Sequence, residues 1–121
     1  MTDGDVLALF DQWNAALQTG DAENVANLYA NGAILVPTLS NRLCHNPKEI
    51  KRYFADFLKK GPSGKIDEAN VRWFDNIAIN SGRYTFTLKD GDLIPARFTF
   101  AYQRDGDRWL IAEHHSSAMP E

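Results

Sequence analysis

The chain has 121 residues, of which 44% are hydrophobic, 24% charged and 12% aromatic. That is the make-up of one globular domain, spanning residues 1–121, and it excludes a disordered chain. Thirteen basic and 16 acidic residues give a net charge of −3, which excludes the clustered cationic surface that nucleic acid or an anionic membrane needs.

Met1 to Asp5 carries no basic segment followed by an apolar one, so no secretory signal is read there. No apolar run approaches the roughly 18 residues of a membrane span. Thr2 or Asp3 caps a first helix, in which Val6, Leu9, Phe10, Trp13 and Leu17 recur at helical spacing and form one apolar face. Gly20 stops that helix in the left-handed conformation glycine tolerates. Asp21 opens a short second helix carrying Val25, Leu28 and Tyr29, closed by Gly32. Ala33 to Val36 is a β-like run ended by Pro37.

Cys44 has no second cysteine to pair with, and a reducing cytoplasm is the expected setting. Cys44-His45 offers two adjacent ligand types where structural zinc takes about four, so no metal and no cofactor are expected. Asn46 is a good N-cap for a third helix, with Pro47 at its first position and Glu49 placed for a capping box. Ile50, Tyr53, Phe54, Phe57 and Leu58 line one side of it. Gly61-Pro62 ends it.

From Gly64 onward the pattern is strand. Ile66 to Phe74 is followed by a turn at Asp75-Asn76, then by strands over Ile77–Leu88, Ile94–Arg104 and Asp107–Ser117. Helices first and a meander afterwards give an α+β fold with helices on one face of a mainly antiparallel sheet. Asp105-Gly106 reads as a two-residue hairpin loop, which sets Arg104 opposite Asp107. In that register Tyr102 faces Trp109, Phe100 faces Ile111 and Phe98 faces Glu113. On the other side Thr99 faces Ala112 and Arg97 faces His114.

One face then carries Tyr84, Phe86, Phe98, Phe100, Tyr102 and Trp109. The other carries Arg83, Arg97, Thr99, His114 and Ser116, and a one-residue slip reverses such an assignment. Two readings follow. If the polar face is concave, two arginines and a histidine form an anion site, because guanidinium pairs bidentately with carboxylate. The aromatic stripe must then be an interface between copies, with His115 beside it, since it is too large to leave in water. If the aromatic face is concave, the stripe is core.

The residues Trp13-Asn14, Gly20-Asp21, Leu28-Tyr29, Tyr53-Phe54, Gly82-Arg83-Tyr84-Thr85-Phe86, Arg104-Asp105-Gly106 with Trp109, and the ending from His114-His115-Ser116 to Pro120 carry a resemblance. The chain resembles the nuclear transport factor 2-like (NTF2-like) superfamily. Within it, the chain is similar to bacterial relatives of the association (hub) domain of calcium/calmodulin-dependent protein kinase II. SnoaL-like proteins, ketosteroid isomerase and polyketide cyclases share the superfamily. The resemblance implies a cone, with three N-terminal helices packed on a strongly curved sheet and a cavity at the wide end. It also implies a homo-oligomer, a dimer or a ring, assembled through the sheet.

Hub domains bind small carboxylates in an arginine-lined pocket. Arg83 falls on one of those arginine positions, whereas Thr99 and Ser116 stand at two others, with Arg97 and His114 beside them. In the isomerase an interior Asp precedes the proline ending the first strand. Val36 stands there in this chain and cannot move a proton.

The expected protein self-associates and binds a small anionic organic ligand through Arg83, Arg97, Thr99, His114 and Ser116. Trp13, Tyr29, Tyr53 and Phe57 would supply the apolar wall. The alternative is an isomerase, cyclase or dehydratase acting on a small organic substrate, with His114 as acid and base.

Overall fold

The computed structural model describes residues 1–38 and 40–120. Helix α1 spans Asp3–Gln18. The Thr2 hydroxyl accepts the Asp5 amide, and the Asp5 carboxylate accepts the Thr2 amide at 2.9 Å, a reciprocal cap. Val6, Phe10, Trp13 and Leu17 form the buried face of α1. The chain turns off it through Gly20 at φ 73°.

Helix α2 spans Ala22–Ala26 and strand β1 spans Tyr29–Val36. The second helix therefore stops six residues short of Gly32. The Leu28 carbonyl accepts the Ile111 amide at 2.8 Å, and Tyr29 is already in register with Ile111. A long-range strand pairing takes these residues from the helix. Helix α3 spans Pro47–Phe57. Asn46 caps it, and Glu49 reaches back to the His45 amide at 2.7 Å, one residue before the cap. A short 3-10 turn, Leu58–Lys60, ends at Gly61.

Strands β2 (Ser63–Phe74), β3 (Ile77–Thr87), β4 (Leu93–Asp105) and β5 (Arg108–Ala118) form an antiparallel meander. The sheet order is β1-β5-β4-β3-β2, with β1 parallel to β5. Two devices bend it. Asp67 is an extra residue in β2, between the pairs Ile66–Tyr84 and Glu68–Arg83. Gly82 follows on β3, where a Cβ would lie 1.9 Å from the Glu68 carbonyl oxygen. Only glycine lets the two backbones approach so closely.

The helices fill the concave side. Asn14 fastens α1 to the start of β2, donating to the Gly64 carbonyl at 3.0 Å and accepting its amide at 2.8 Å. Trp13 lies at the centre of the core, its ring against Phe10, Phe54, Tyr84, Phe86, Phe100 and His114. Tyr84, Phe86, Phe98, Phe100 and Tyr102 are all buried, so the aromatic face is the concave one. These five are core rather than interface. Trp109 is half-buried against the same core, and His115 alone of the expected interface residues is exposed. Among the described residues, no helix is long and apolar enough to cross a membrane.

Candidate functional site

The β4–β5 hairpin decides which side chains enter the cone. Its loop residues are Gly106 and Asp107, closed by the pair Asp105–Arg108, with Gly106 at φ 62°. This is glycine first in the loop, as in a type II′ turn. The register is thus two residues from the expected one, a shift that leaves every side chain on its expected face. The reversal comes further along. Tyr102 pairs with Ile111 and Ala101 with Glu113, leaving Ala112 as an unmatched bulge residue. Beyond it His114 faces Phe100 and Ser116 faces Phe98. Both enter the cone with the aromatic residues.

The arginines stay outside. Arg83 and Arg97 are direct cross-strand partners, next to the Ser81–Thr99 pair, and both are exposed. Arg83 reaches Glu68 at 3.4 Å on this convex face. Thr99 lies there too, half-buried opposite His115. The expected cluster of Arg83, Arg97 and Thr99 with His114 and Ser116 is therefore split by the sheet, and no guanidinium lines the cone.

A small cavity remains inside. It is lined by Trp13, Thr38, Tyr53, Phe57, Tyr84, His114 and Ser116, with Leu35, Phe54, Phe86 and Ile94. Its volume is about 20 Å³, enough for about one water molecule and far below the several hundred Å³ of an ordinary ligand pocket. Trp13, Tyr53 and Phe57 stand where expected. Tyr29 touches the site through His114 from behind.

The polar groups of the cavity form a continuous chain. Trp13 Nε1 donates to Tyr29 Oη at 3.2 Å, and Tyr29 Oη lies 2.8 Å from His114 Nδ1. His114 Nε2 lies 3.2 Å from Tyr84 Oη, which donates to Ser116 Oγ at 2.6 Å. Thr38 Oγ1 donates to the same Ser116 oxygen. Burial, with a smaller contribution from nearby His115, holds the His114 pKa down at about 3. Burial pushes the Tyr29 and Tyr84 hydroxyls well above their ordinary range. At neutral pH every member is uncharged.

Thr38 and the inward role of Tyr84 escaped sequence reasoning. Thr38 follows the end of β1, whose parallel pairing with β5 is set by no local turn. Among the described residues, no group of three or more His, Cys, Asp or Glu side chains converges to hold a metal. Cys44 is buried and free, its backbone bridged to Leu35 in both directions at 2.9 and 3.0 Å. A wider, open hollow of about 690 Å³ lies outside the cone, beside Lys48, Lys51, Arg104 and Arg108.

The model of the calcium/calmodulin dependent protein kinase II association domain family matches residues 2–120. A Xanthomonas campestris structure, provisionally described as such an association domain, is 48% identical, covering 97% of this chain and 87% of its own, with a TM-score of 0.93. An NTF2-like protein of unknown function from Pseudomonas putida is 14% identical over 98% of this chain and 87% of its own, at TM-score 0.85. A protein from Parabacteroides distasonis, provisionally described as a ketosteroid isomerase, is 18% identical over 95% and 86%, at 0.79. These last two show the shared fold. Comparison with curated protein sequences finds no match.

Proposed function

The chain belongs to the calcium/calmodulin dependent protein kinase II association domain family, and from that membership we propose that its work is self-association through the convex face of the sheet, without a chemical step. The observation that carries this reading is an apolar strip on that face. One row across the strands runs Phe74, Ile77, Gln103, Leu110, and the next runs Arg72, Ile79, Ala101, Glu113. Phe74 is 60% exposed and Ile77 38%. Ile79, Ala101 and Leu110 are half-buried. A second copy of the same face would cover the strip isologously, and its small and β-branched residues suit face-to-face sheet packing.

The cone supports the same reading from the other side. In its resting shape the cavity has room for about one water molecule. His114 is neutral and has both ring nitrogens engaged, so it is not a base waiting for a substrate proton.

Sedimentation velocity of the wild type and Ile79→Glu tests the proposal. The wild type sediments as a dimer or larger assembly. The variant sediments as a monomer with an unchanged far-ultraviolet circular dichroism spectrum. A wild type that stays monomeric across the accessible concentration range overturns it.

A further inference from the structure

We propose that the cone interior is a one-way hydrogen-bond relay ending in an uncharged hydroxyl donor, and that its cavity, on widening, admits small uncharged carbonyl compounds and refuses carboxylates. The direction follows from the first member. Trp13 Nε1–H is a donor only, and it gives its proton to Tyr29 Oη at 3.2 Å. Tyr29 is buried, so its own O–H needs an acceptor, and His114 Nδ1 stands 2.8 Å away. Nδ1 is therefore the bare nitrogen. His114 is the Nε2–H tautomer and donates to Tyr84 Oη at 3.2 Å. Tyr84 then donates to Ser116 Oγ at 2.6 Å.

At the far end one proton has no acceptor within the relay. Ser116 Oγ receives Tyr84, and it shares one further hydrogen bond with Thr38. That bond uses the hydroxyl hydrogen of one partner and leaves the hydrogen of the other. Both residues line the cavity, so whichever way the pair is arranged, one O–H is available to a guest. The matching guest carries an acceptor, and a carbonyl oxygen is the compact one.

Charge decides against a carboxylate. No cation lines the cavity, and Arg83 and Arg97 lie on the opposite face. An anion desolvated among neutral hydroxyls and aromatic rings is left without a countercharge, which is costly. Proton transfer is closed off as well. Passing a proton outward along the chain would leave Tyr29 or Trp13 deprotonated in the core, and burial drives the Tyr29 hydroxyl the other way. Thr38, Tyr53 and Ile94 are the half-buried parts of the lining, and the cavity must widen there to admit anything larger than water.

Two measurements on the full chain decide the matter, neither depending on its state of assembly. Nitrogen-15 NMR of the His114 ring reads the tautomer. Protonation at Nε2 with a bare Nδ1 is expected, and a proton on Nδ1 overturns the relay. The guest is tested with acetone and acetate, probes of near-equal size and shape but different charge. Acetone should shift the Thr38 and Ser116 amide resonances saturably, and acetate should leave them in place. In Thr38→Val/Ser116→Ala the acetone response should vanish, while Ser117→Ala, outside the cone, retains it. Saturation by acetate, or silence towards both probes, overturns the proposal.

Discussion

His114 stands opposite Phe100 across β5 and β4, and the two rings stack with centroids 4.0 Å apart. That contact exists because Ala112 has no partner on β4. Without this bulge, the hairpin register would place His114 on the outer face opposite Thr99, on the side that carries Arg97. One bulge therefore separates a surface imidazole among guanidinium groups from a core imidazole among phenols. It also moves Ser116 inward, to where Tyr84 and Thr38 meet it.

Burial of His114 makes stability depend on pH in a defined direction. Its pKa falls from 6.5 to about 3 on folding, so below pH 6.5 the unfolded chain binds the proton more readily. Stability then rises with pH, and this contribution is flat above about 6.5. Between about 6.5 and 3, each pH unit lost costs about 1.4 kcal/mol. Urea denaturation of wild type and His114→Gln at several pH values isolates the effect. The wild type should lose stability faster on acidification, and parallel pH profiles would show that the imidazole is not held neutral.

Two buried phenols should answer oppositely to loss of their oxygen. Tyr84 Oη links His114 to Ser116, so Tyr84→Phe strands a ring N–H and costs about 1–3 kcal/mol. Tyr102 Oη is buried and has no protein partner among the described residues. Tyr102→Phe should therefore be neutral or stabilising by up to about 1 kcal/mol. Chemical denaturation of both variants checks the contrast. Equal losses would mean that the relay adds nothing specific.

The parts legible in the sequence were those fixed by nearby residues. Thr2, Asp21 and Asn46 cap their helices as their side chains predict. The five-residue run from Gly82 to Phe86 alternates into and out of the cone. Arg83 and Arg97 share a face as expected, because the β3–β4 pairing runs without a bulge. What stayed hidden was set at long range. The parallel β1–β5 pairing has no turn to announce it, and it converts Tyr29 from a helical residue to a strand residue. The bulge at Ala112 has no residue-type signal, yet it reassigns every later side chain of β5. The fold survives such a slip, while the composition of the site does not.

Gly82 should be the least replaceable glycine in the sheet. An alanine Cβ there lies 1.9 Å from the Glu68 carbonyl oxygen and 2.7 Å from its carbon, and backbone atoms cannot rotate away as a side chain does. Gly82→Ala should cost at least about 2 kcal/mol, towards the upper end of overpacking penalties. Gly32 has no heavy atom within 4 Å of an added Cβ and an ordinary backbone angle. Gly32→Ala should change stability by less than about 1 kcal/mol. Thermal denaturation of the two variants makes the comparison, and a tolerated Gly82→Ala would mean that the sheet need not bend at this point.

Arg83 offers the sharpest separation between a pocket residue and a surface one. Its guanidinium lies 3.4 Å from Glu68, and the side chains are 50% and 53% exposed. Such an exposed, solvent-screened pair contributes little in water. Arg97 sits directly across from it with the same charge, so removing Arg83 also relieves a repulsion. Glu68 retains Asn70 at 3.1 Å, the main reason its carboxyl titrates below the usual range. These effects oppose one another. Arg83→Ala should leave folding stability within about 1 kcal/mol of wild type and leave the His114 ring resonances where they are. If Arg83 instead served the cone, its loss would disturb those resonances. An unchanged ring in a variant lacking this cation places the charge outside the site, where it can act only on whatever covers the convex face.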